Sequence, residues 1–223
     1  MKCKVISLIA SVAFSVLALP SCQIVELVKS GTTYYDTEIT TRDGQLVTGR
    51  IGGQRSSNLP SAAKTISIKT DQGRRKIKSE QIRYMTLARK GHPEKQQTLI
   101  YSDLKWPYTR KGQQKFRTFK SWMILKHAGD HLLITAHGGS YSLSKDGALV
   151  ITYKMEEGIK YCIMRPGDDC PILIGRSISG RASMRRQWAE YLADDPALCD
   201  KIQRKEIDAF DFKTIAEQYS PGK

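Results

Sequence analysis

Turns recur at short intervals along most of this chain, and their spacing constrains the fold more than any other feature. Glycine stands beside a second turn-forming residue, between segments in which apolar and polar residues alternate. The turns are Asp43-Gly44, Asp71-Gln72-Gly73, Gly129-Asp130, Gly138-Gly139, Asp146-Gly147 and Glu157-Gly158. Short alternating segments separated by tight turns are typical of antiparallel strands joined as hairpins. The sequence therefore predicts a β-rich fold.

The first predicted β unit occupies residues 34–90. Thr37–Thr41 and Leu46–Thr48 flank the first turn. Ser79–Ile82 predicts a single helical turn before a last strand at Tyr84–Leu87. Two hairpins, a Gly/Ser-rich loop and a helical turn before the last strand resemble the small barrels of the SH3-like and Sm-like class.

The periodicity becomes helical after Ser177. Met184, Trp188 and Leu192 fall on one helical face. Asp195-Pro196 predicts the start of a second helix, and Asp211 predicts the start of a third. We therefore predict an α+β fold that is mainly antiparallel β, with a small barrel-like N-terminal part, a β-meander and a C-terminal cap of three short helices. The predicted division is a signal peptide at 1–21, a tether at 22–33, a basic barrel-like domain at 34–90, a linker near 88–95, an antiparallel β domain at 98–176 and a helical cap at 177–220.

The first 22 residues have the composition of a bacterial export signal. Lys2 and Lys4 precede an uncharged apolar run, and Leu19-Pro20-Ser21-Cys22 ends it. This ending resembles the lipobox of bacterial lipoproteins, which implies diacylation of Cys22 and attachment to a membrane. Ordinary secretion, with Cys22 as a thiol or disulfide partner, is the alternative. We expect an exported protein of the cell envelope, either an outer-membrane lipoprotein or a periplasmic protein.

The positive charge of the chain is concentrated in one region. Residues 42–126 contain 20 Lys or Arg and 5 Asp or Glu, a net charge of +15, whereas the whole chain has +14. Within this region, cations and aromatic residues interleave between Tyr101 and Trp122, a mixture that can stack on rings and pair with anions. The predicted anion-binding residues are Trp106, Tyr108, Arg110, Lys111, Lys115 and Arg117. A solvated sheet face is the alternative explanation for these charges.

The cysteines downstream of Cys22 are disulfide candidates, because exported proteins fold in oxidising surroundings. A Cys170–Cys199 bond would join the helical cap to the sheet, and Cys162–Cys170 is the alternative pairing. If Cys22 is not lipidated, two disulfides can form.

Three histidines form the densest group of potential ligands, namely His127, His131 and His137. A three-residue hairpin loop would place His127 opposite His131, whereas a two-residue loop would put them out of register. A metal site or a secreted hydrolase that uses this cluster is therefore the alternative function. No Gly-x-Ser-x-Gly or His-Glu-x-x-His motif occurs, and we predict no cofactor.

Four segments in the second half of the chain resemble an uncharacterised group of exported Bacteroidota proteins. They are Lys120–Met123, Tyr161–Ile174, Trp188–Leu198 and Lys201–Glu206. The resemblance implies an envelope location and no established activity. Together with the basic region, it favours a non-enzymatic binding or structural role toward anionic lipid, lipopolysaccharide, polysaccharide or another envelope protein. Export argues against a nucleic-acid partner.

Overall fold

The computed structural model describes residues 33–53 and 58–222. The predicted signal peptide and the predicted lipidation site Cys22 lie outside the described residues. The described strands are β1 (Thr33–Thr41), β2 (Leu46–Gly53), β3 (Leu59–Pro60), β4 (Thr65–Thr70), β5 (Gly73–Lys78), β6 (Ile82–Arg89), β7 (His92–Arg110), β8 (Gln113–Ala128), β9 (Leu133–His137), β10 (Ser140–Leu143), β11 (Leu149–Thr152), β12 (Lys160–Met164) and β13 (Ile172–Arg176). The described helices are α1 (Arg181–Tyr191), α2 (Pro196–Gln203) and α3 (Phe212–Gln218). The predicted α+β fold, mainly antiparallel with three short helices, is confirmed.

Five strands of the N-terminal half lie side by side in the order β6-β1-β2-β4-β5. The β1–β2 hairpin turns where predicted, and Gly44 has a φ of +90°, which glycine adopts without steric cost. A 3₁₀ turn at Ser79–Gln81 precedes β6, in agreement with the predicted helical turn and last strand. The inward side chains form a first core that includes Ile39, Ile68 and Ile82.

Residues 88–95, predicted as a linker, form a hairpin instead. β6 continues to Arg89 and β7 begins at His92, with Gly91 at a φ of +85° between them. Met85 pairs with Leu99 across the two strands. Glycine and proline mark turns as well as linkers, and a proline near the start of a strand does not interrupt pairing, so the pattern alone did not distinguish the two.

Strands β7, β8, β9, β12 and β13 close into a five-stranded barrel. Neighbours in chain order pair antiparallel, and β13 returns to β7 through a parallel contact of Ile172 with Lys105. The Lys105 N–H also donates to the Pro171 carbonyl oxygen (2.9 Å). Part of the interior is apolar and contains Leu104, Met123, Leu133, Cys162, Met164 and Leu173.

The helices and the strands they cover form another apolar cluster, which includes Ile134 of β9, Ile163 of β12 and Ile174 of β13. Trp188 of α1 is fully buried there, and its indole N–H donates to the Ala209 carbonyl oxygen (2.9 Å). Among the described residues, no helix is long and apolar enough to cross a membrane.

The predicted helix starts are confirmed. The Asp195 carboxylate accepts a hydrogen bond from the Leu198 N–H (3.0 Å), and Pro196 is the first residue of α2. The Asp211 carboxylate accepts from the Thr214 N–H (3.1 Å) at the start of α3. These bonds satisfy N–H groups that have no partner within the helix.

A three-stranded sheet in the order β11-β10-β3 packs against the first core. Tyr141 of β10 is fully buried, and its hydroxyl donates to the Trp122 carbonyl oxygen (2.7 Å). The Leu143 N–H donates to the Tyr35 hydroxyl (3.1 Å). These bonds attach the small sheet to β1 and β8.

Candidate functional site

A two-stranded hairpin projects from the barrel. β7 pairs with β6 only as far as Leu99, β8 pairs with β9 only from Ile124, and β13 reaches β7 at Lys105. Beyond these points, the described residues of β7 and β8 pair only with each other. We call residues 105–120 the hairpin arm. At about 3.3 Å per residue, its tip lies about 17 Å beyond Trp106.

The tip of the hairpin arm is a two-residue turn at Lys111-Gly112. Both residues have positive φ, +53° and +73°, as a type I′ turn between antiparallel strands requires. Every residue from Gln113 to Lys120 is exposed. The hairpin arm therefore has no core of its own, and a ribbon of two strands is only marginally stable without added packing.

The register places five of the six predicted anion-binding residues on one face of the hairpin arm. Successive side chains of a strand point to opposite faces, so Trp106, Tyr108 and Arg110 share a face. Their cross-strand partners on that face are Arg117, Lys115 and Gln113, respectively. Lys111, the sixth predicted residue, stands at the tip. The structure thus brings together the residues that the sequence singled out.

Cations on this face lie against aromatic rings. The guanidinium carbon of Arg117 is 4.9 Å from the centre of the Tyr108 ring, a cation–π distance. The rings of Trp106 and Phe119 are 5.9 Å apart. The opposite face is also partly apolar, because Pro107 pairs with Phe116, which is 48% exposed.

The hairpin arm carries six cations and no acidic residue. At its root, Lys120 forms an ion pair with Glu80 (2.6 Å). Arg110, Lys111, Lys115 and Arg117 form no ion pair with any described residue. Their positive charge is available to a partner.

A second group of cations in the basic region lies on β5, which ends the strand order β6-β1-β2-β4-β5 and is therefore an edge strand. Arg74, Arg75, Lys76 and Lys78 are all exposed there. Charged residues on an edge strand prevent it from pairing with another chain. This structural explanation accounts for the β5 cations, whereas it does not account for aromatic residues among the cations of the hairpin arm.

At the root of the hairpin arm, the barrel interior becomes polar. The Lys160 ammonium lies 5.0 Å from the centre of the Trp106 ring, and the Arg176 guanidinium carbon lies 5.8 Å from it. Lys160 is buried and forms an ion pair with Glu157. We call this end of the barrel, formed by Trp106, Phe119, His137, Lys160 and Arg176, the barrel mouth.

His137 is a buried polar group of the barrel mouth. It is 7% exposed, its Nε2 lies 2.9 Å from the Ser121 Oγ, and its Nδ1 is buried without a hydrogen-bond partner among the described residues. Burial, together with the charge of Lys160 and opposed by Glu157, lowers the pKa of His137 to about 4. His137 is therefore neutral at physiological pH.

The three histidines do not form one site. The loop between β8 and β9 contains four residues, and a bulge in β8 places His127 opposite Ile134 rather than opposite His131. Burial lowers the pKa of His127, and the carboxylates of Asp211 and Glu217 at α3 oppose this change. His137 lies in the barrel interior, on the other side of the sheet. Among the described residues, no group of three His, Cys, Asp or Glu is arranged to hold a metal ion.

The described cysteines occupy three different environments. Cys162 is fully buried in the barrel, and burial raises the pKa of its thiol. Cys199 is half-buried on α2, and its thiol donates to the Leu192 carbonyl oxygen (3.1 Å). Cys170 is buried in the β12–β13 connection. No disulfide joins these cysteines in the described part of the chain. The Cys170–Cys199 bond and its Cys162–Cys170 alternative stay predictions.

The sequence did not identify Ser121, Lys160 or Arg176. Lys160 and Arg176 are cross-strand partners in β12 and β13, and only barrel closure brings them to Trp106 of β7. No protein family, curated protein or solved structure matches this chain.

Proposed function

We propose that this protein is a non-enzymatic binding protein of the bacterial envelope, and that its hairpin arm lies on the anionic, phosphate-bearing surface of a lipid membrane. The observation that carries the proposal is one face of the hairpin arm, which contains no acidic residue and carries Trp106, Tyr108, Arg110, Lys115 and Arg117. Aromatic residues favour the headgroup level of a membrane, and Lys and Arg are attracted to anionic lipids.

Exposed apolar residues near the root of the hairpin arm support its placement on a membrane surface. Met155 and Ile178 are 85% and 55% exposed. Met155 lies in the loop that leads into Lys160, and Ile178 follows Arg176, and both of these cations contact Trp106. A Cβ at Gly158 would lie 3.1 Å from Ile178, so the two loops touch. This rim therefore presents aliphatic side chains beside the cations.

The expected lipidation of Cys22 would act in the same direction. An acyl chain would hold the protein at the membrane, and the hairpin arm would add a second, charge-dependent contact. At about 1 kcal/mol for each cation near an anionic surface, four cations contribute about 4 kcal/mol, or nearly a thousandfold in affinity.

The test compares two fourfold variants with equal changes in charge. One carries Arg110→Gln, Lys111→Gln, Lys115→Gln and Arg117→Gln in the hairpin arm. The control carries Arg74→Gln, Arg75→Gln, Lys76→Gln and Lys78→Gln on β5. Both variants keep the same N-terminal segment, so any contribution of that segment to vesicle binding is the same in the two. Co-sedimentation with phosphatidylglycerol vesicles is measured across a salt series, with phosphatidylcholine vesicles as the uncharged reference.

The hairpin-arm variant is expected to lose at least 100-fold in affinity for the anionic vesicles, by the four-cation attraction above. The β5 variant is expected to lose much less, and retention of the parent should fall as salt rises, because salt screens exposed charges. Equal losses in the two variants, or unchanged retention of the hairpin-arm variant, would refute the proposal.

The hydrolase and metal-binding alternative receives no support from the geometry. His127 and His137 lie on opposite sides of the sheet, and the Cys162 thiol is buried with a raised pKa. A thiol in that state is not an activated nucleophile.

A further inference from the structure

We infer that the barrel mouth binds a hydroxylated phosphate group, such as a glycerol phosphate. The inference deepens the proposed function and rests on it for the choice of phosphate over carboxylate. Three features of the barrel mouth carry it. They are a buried hydrogen-bond acceptor on His137, an unpaired guanidinium on Arg176 and the aromatic side chains of Trp106 and Phe119.

The hydrogen bonds of Ser121 indicate that the Nδ1 of His137 is a hydrogen-bond acceptor. Its Oγ lies 3.0 Å from the Ser61 carbonyl oxygen and 3.3 Å from the Trp122 carbonyl oxygen, and its single hydroxyl hydrogen is donated to one of them. The Ser121 Oγ then accepts from the Nε2–H of His137 (2.9 Å). We assign this arrangement because it makes two hydrogen bonds, whereas donation from Ser121 to His137 would make one and leave both oxygen–oxygen contacts without a hydrogen. The Nδ1 of His137 consequently carries a lone pair.

An acceptor without a partner in a buried site has a free-energy cost that a ligand donor would remove. The Nδ1 of His137 has no hydrogen-bond partner among the described residues. Because it accepts, the matching ligand group is a donor, and a hydroxyl meets this requirement. Phe119 stands edge-on to His137, with ring centres 6.0 Å apart, and is 38% exposed.

The charges around Trp106 favour an anion beside that hydroxyl. Lys160 is compensated by Glu157, whereas Arg176 forms no ion pair or side-chain hydrogen bond with a described residue. Arg117 faces Trp106 across the hairpin arm and is also without an ion pair. A guanidinium presents paired donors that match a phosphate group. An anion at Trp106 would therefore lie beside Arg176, with Arg117 over the ring of Tyr108 on the same face.

Trp106 provides a direct readout of binding. It is the half-buried tryptophan of the three in the chain, since Trp122 and Trp188 are fully buried. The full-length protein is titrated with glycerol 3-phosphate while its fluorescence is recorded, and glycerol, inorganic phosphate and glucuronate are titrated in parallel. A saturable change is expected with glycerol 3-phosphate, a weaker one with phosphate and none with glycerol.

Two variants test the assignment to Arg176. Arg176→Gln should weaken binding of glycerol 3-phosphate by about tenfold or more, since it removes a charge-assisted contact. Arg83→Gln removes a half-buried arginine on β6, a strand outside the five-stranded barrel, and should leave the titration unchanged. Thermal unfolding of both variants verifies that the fold is retained. Lack of saturation, an equal response to glycerol, tighter binding of glucuronate or an unaffected Arg176→Gln variant would overturn the inference.

A further comparison separates a free phosphate ester from a lipid headgroup as the source of the ligand. Phosphatidylglycerol vesicles should shift the Trp106 emission, and excess glycerol 3-phosphate should reverse that shift if the headgroup enters the barrel mouth. If glycerol 3-phosphate does not reverse the emission shift, the vesicle does not occupy the barrel mouth, and the ligand is assigned to the free ester. The soluble titration does not depend on vesicle binding, so failure of the proposed function and failure of this inference are observed separately.

Discussion

His137 should make the stability of the protein fall as the solution becomes acidic. Its pKa is about 4 in the folded protein because of burial and the charge of Lys160, against an ordinary value of 6.5. Between these values the unfolded chain binds a proton and the folded chain does not, so protonation favours unfolding. The stabilisation is complete above pH 6.5 and is lost progressively as the pH falls toward 4.

The size of the effect follows from the shift in pKa. One pKa unit corresponds to 1.36 kcal/mol, so His137 should cost about 2 kcal/mol at pH 5 and about 3 kcal/mol near pH 4. The charged groups that act on it are Lys160 and Glu157. Lys160 holds the pKa of the Glu157 carboxyl below its ordinary value of 4.5. Glu157 therefore stays ionised over most of the pH range between 6.5 and 4.

The assay is urea unfolding at several pH values between 7.5 and 4.5, for the parent and for His137→Gln. Glutamine can still donate to the Ser121 Oγ but does not titrate. The parent should lose about 2 kcal/mol more than the variant between pH 7 and pH 5. The comparison cancels the contribution of His127, whose pKa burial also lowers, and that of the carboxylates. Equal slopes in the two proteins, or a parent that gains stability on acidification, would refute the reasoning.

Three further predictions concern other parts of the chain. Cys22→Ser should release the protein from the membrane fraction and abolish fatty-acid labelling, and unchanged fractionation would refute lipidation. Non-reducing peptide mapping should find Cys170 bonded to Cys199, a loop of about 30 residues that stabilises by about 3 kcal/mol, and a bond to Cys162 would select the alternative. Asp195→Ala should cost about 2 kcal/mol in urea unfolding, because the buried carboxylate accepts from the Leu198 N–H and the Ser220 N–H. A loss below 0.5 kcal/mol would show that this cap contributes little.

The elements that the sequence predicted well are specified by neighbouring residues. The Asp43-Gly44 turn and the Asp195-Pro196 helix start depend on local conformational preferences and one side-chain hydrogen bond. Barrel closure is not local in this sense. It depends on a parallel contact between Ile172 and Lys105, which are 67 residues apart. Neither strand carries a residue pattern that identifies the other as its partner.

The candidate site was predictable to the extent that strand alternation could assemble it. Residues of the hairpin arm two apart share a face whatever the remainder of the fold does, so Trp106, Tyr108 and Arg110 were recognised together. The projecting hairpin was not anticipated, because both of its faces are exposed and the usual apolar contrast between faces is lost. His137 was considered only as part of a metal site or a hydrolase, and its position in the barrel depends on the closure.

The long β7–β8 hairpin explains how a ribbon without its own core can hold a defined position. Trp122 faces the first core, whereas Met123, the next residue along β8, faces the barrel interior. The Trp122 indole N–H also lies within hydrogen-bond distance of the Ala63 carbonyl oxygen (3.1 Å) and the Ser79 Oγ (3.2 Å). The root is thus fixed by two cores, and pairing propagates outward from it. Substitutions at the exposed tip should consequently leave the free energy of unfolding nearly unchanged, so a loss of vesicle binding there reports on the surface rather than on the fold.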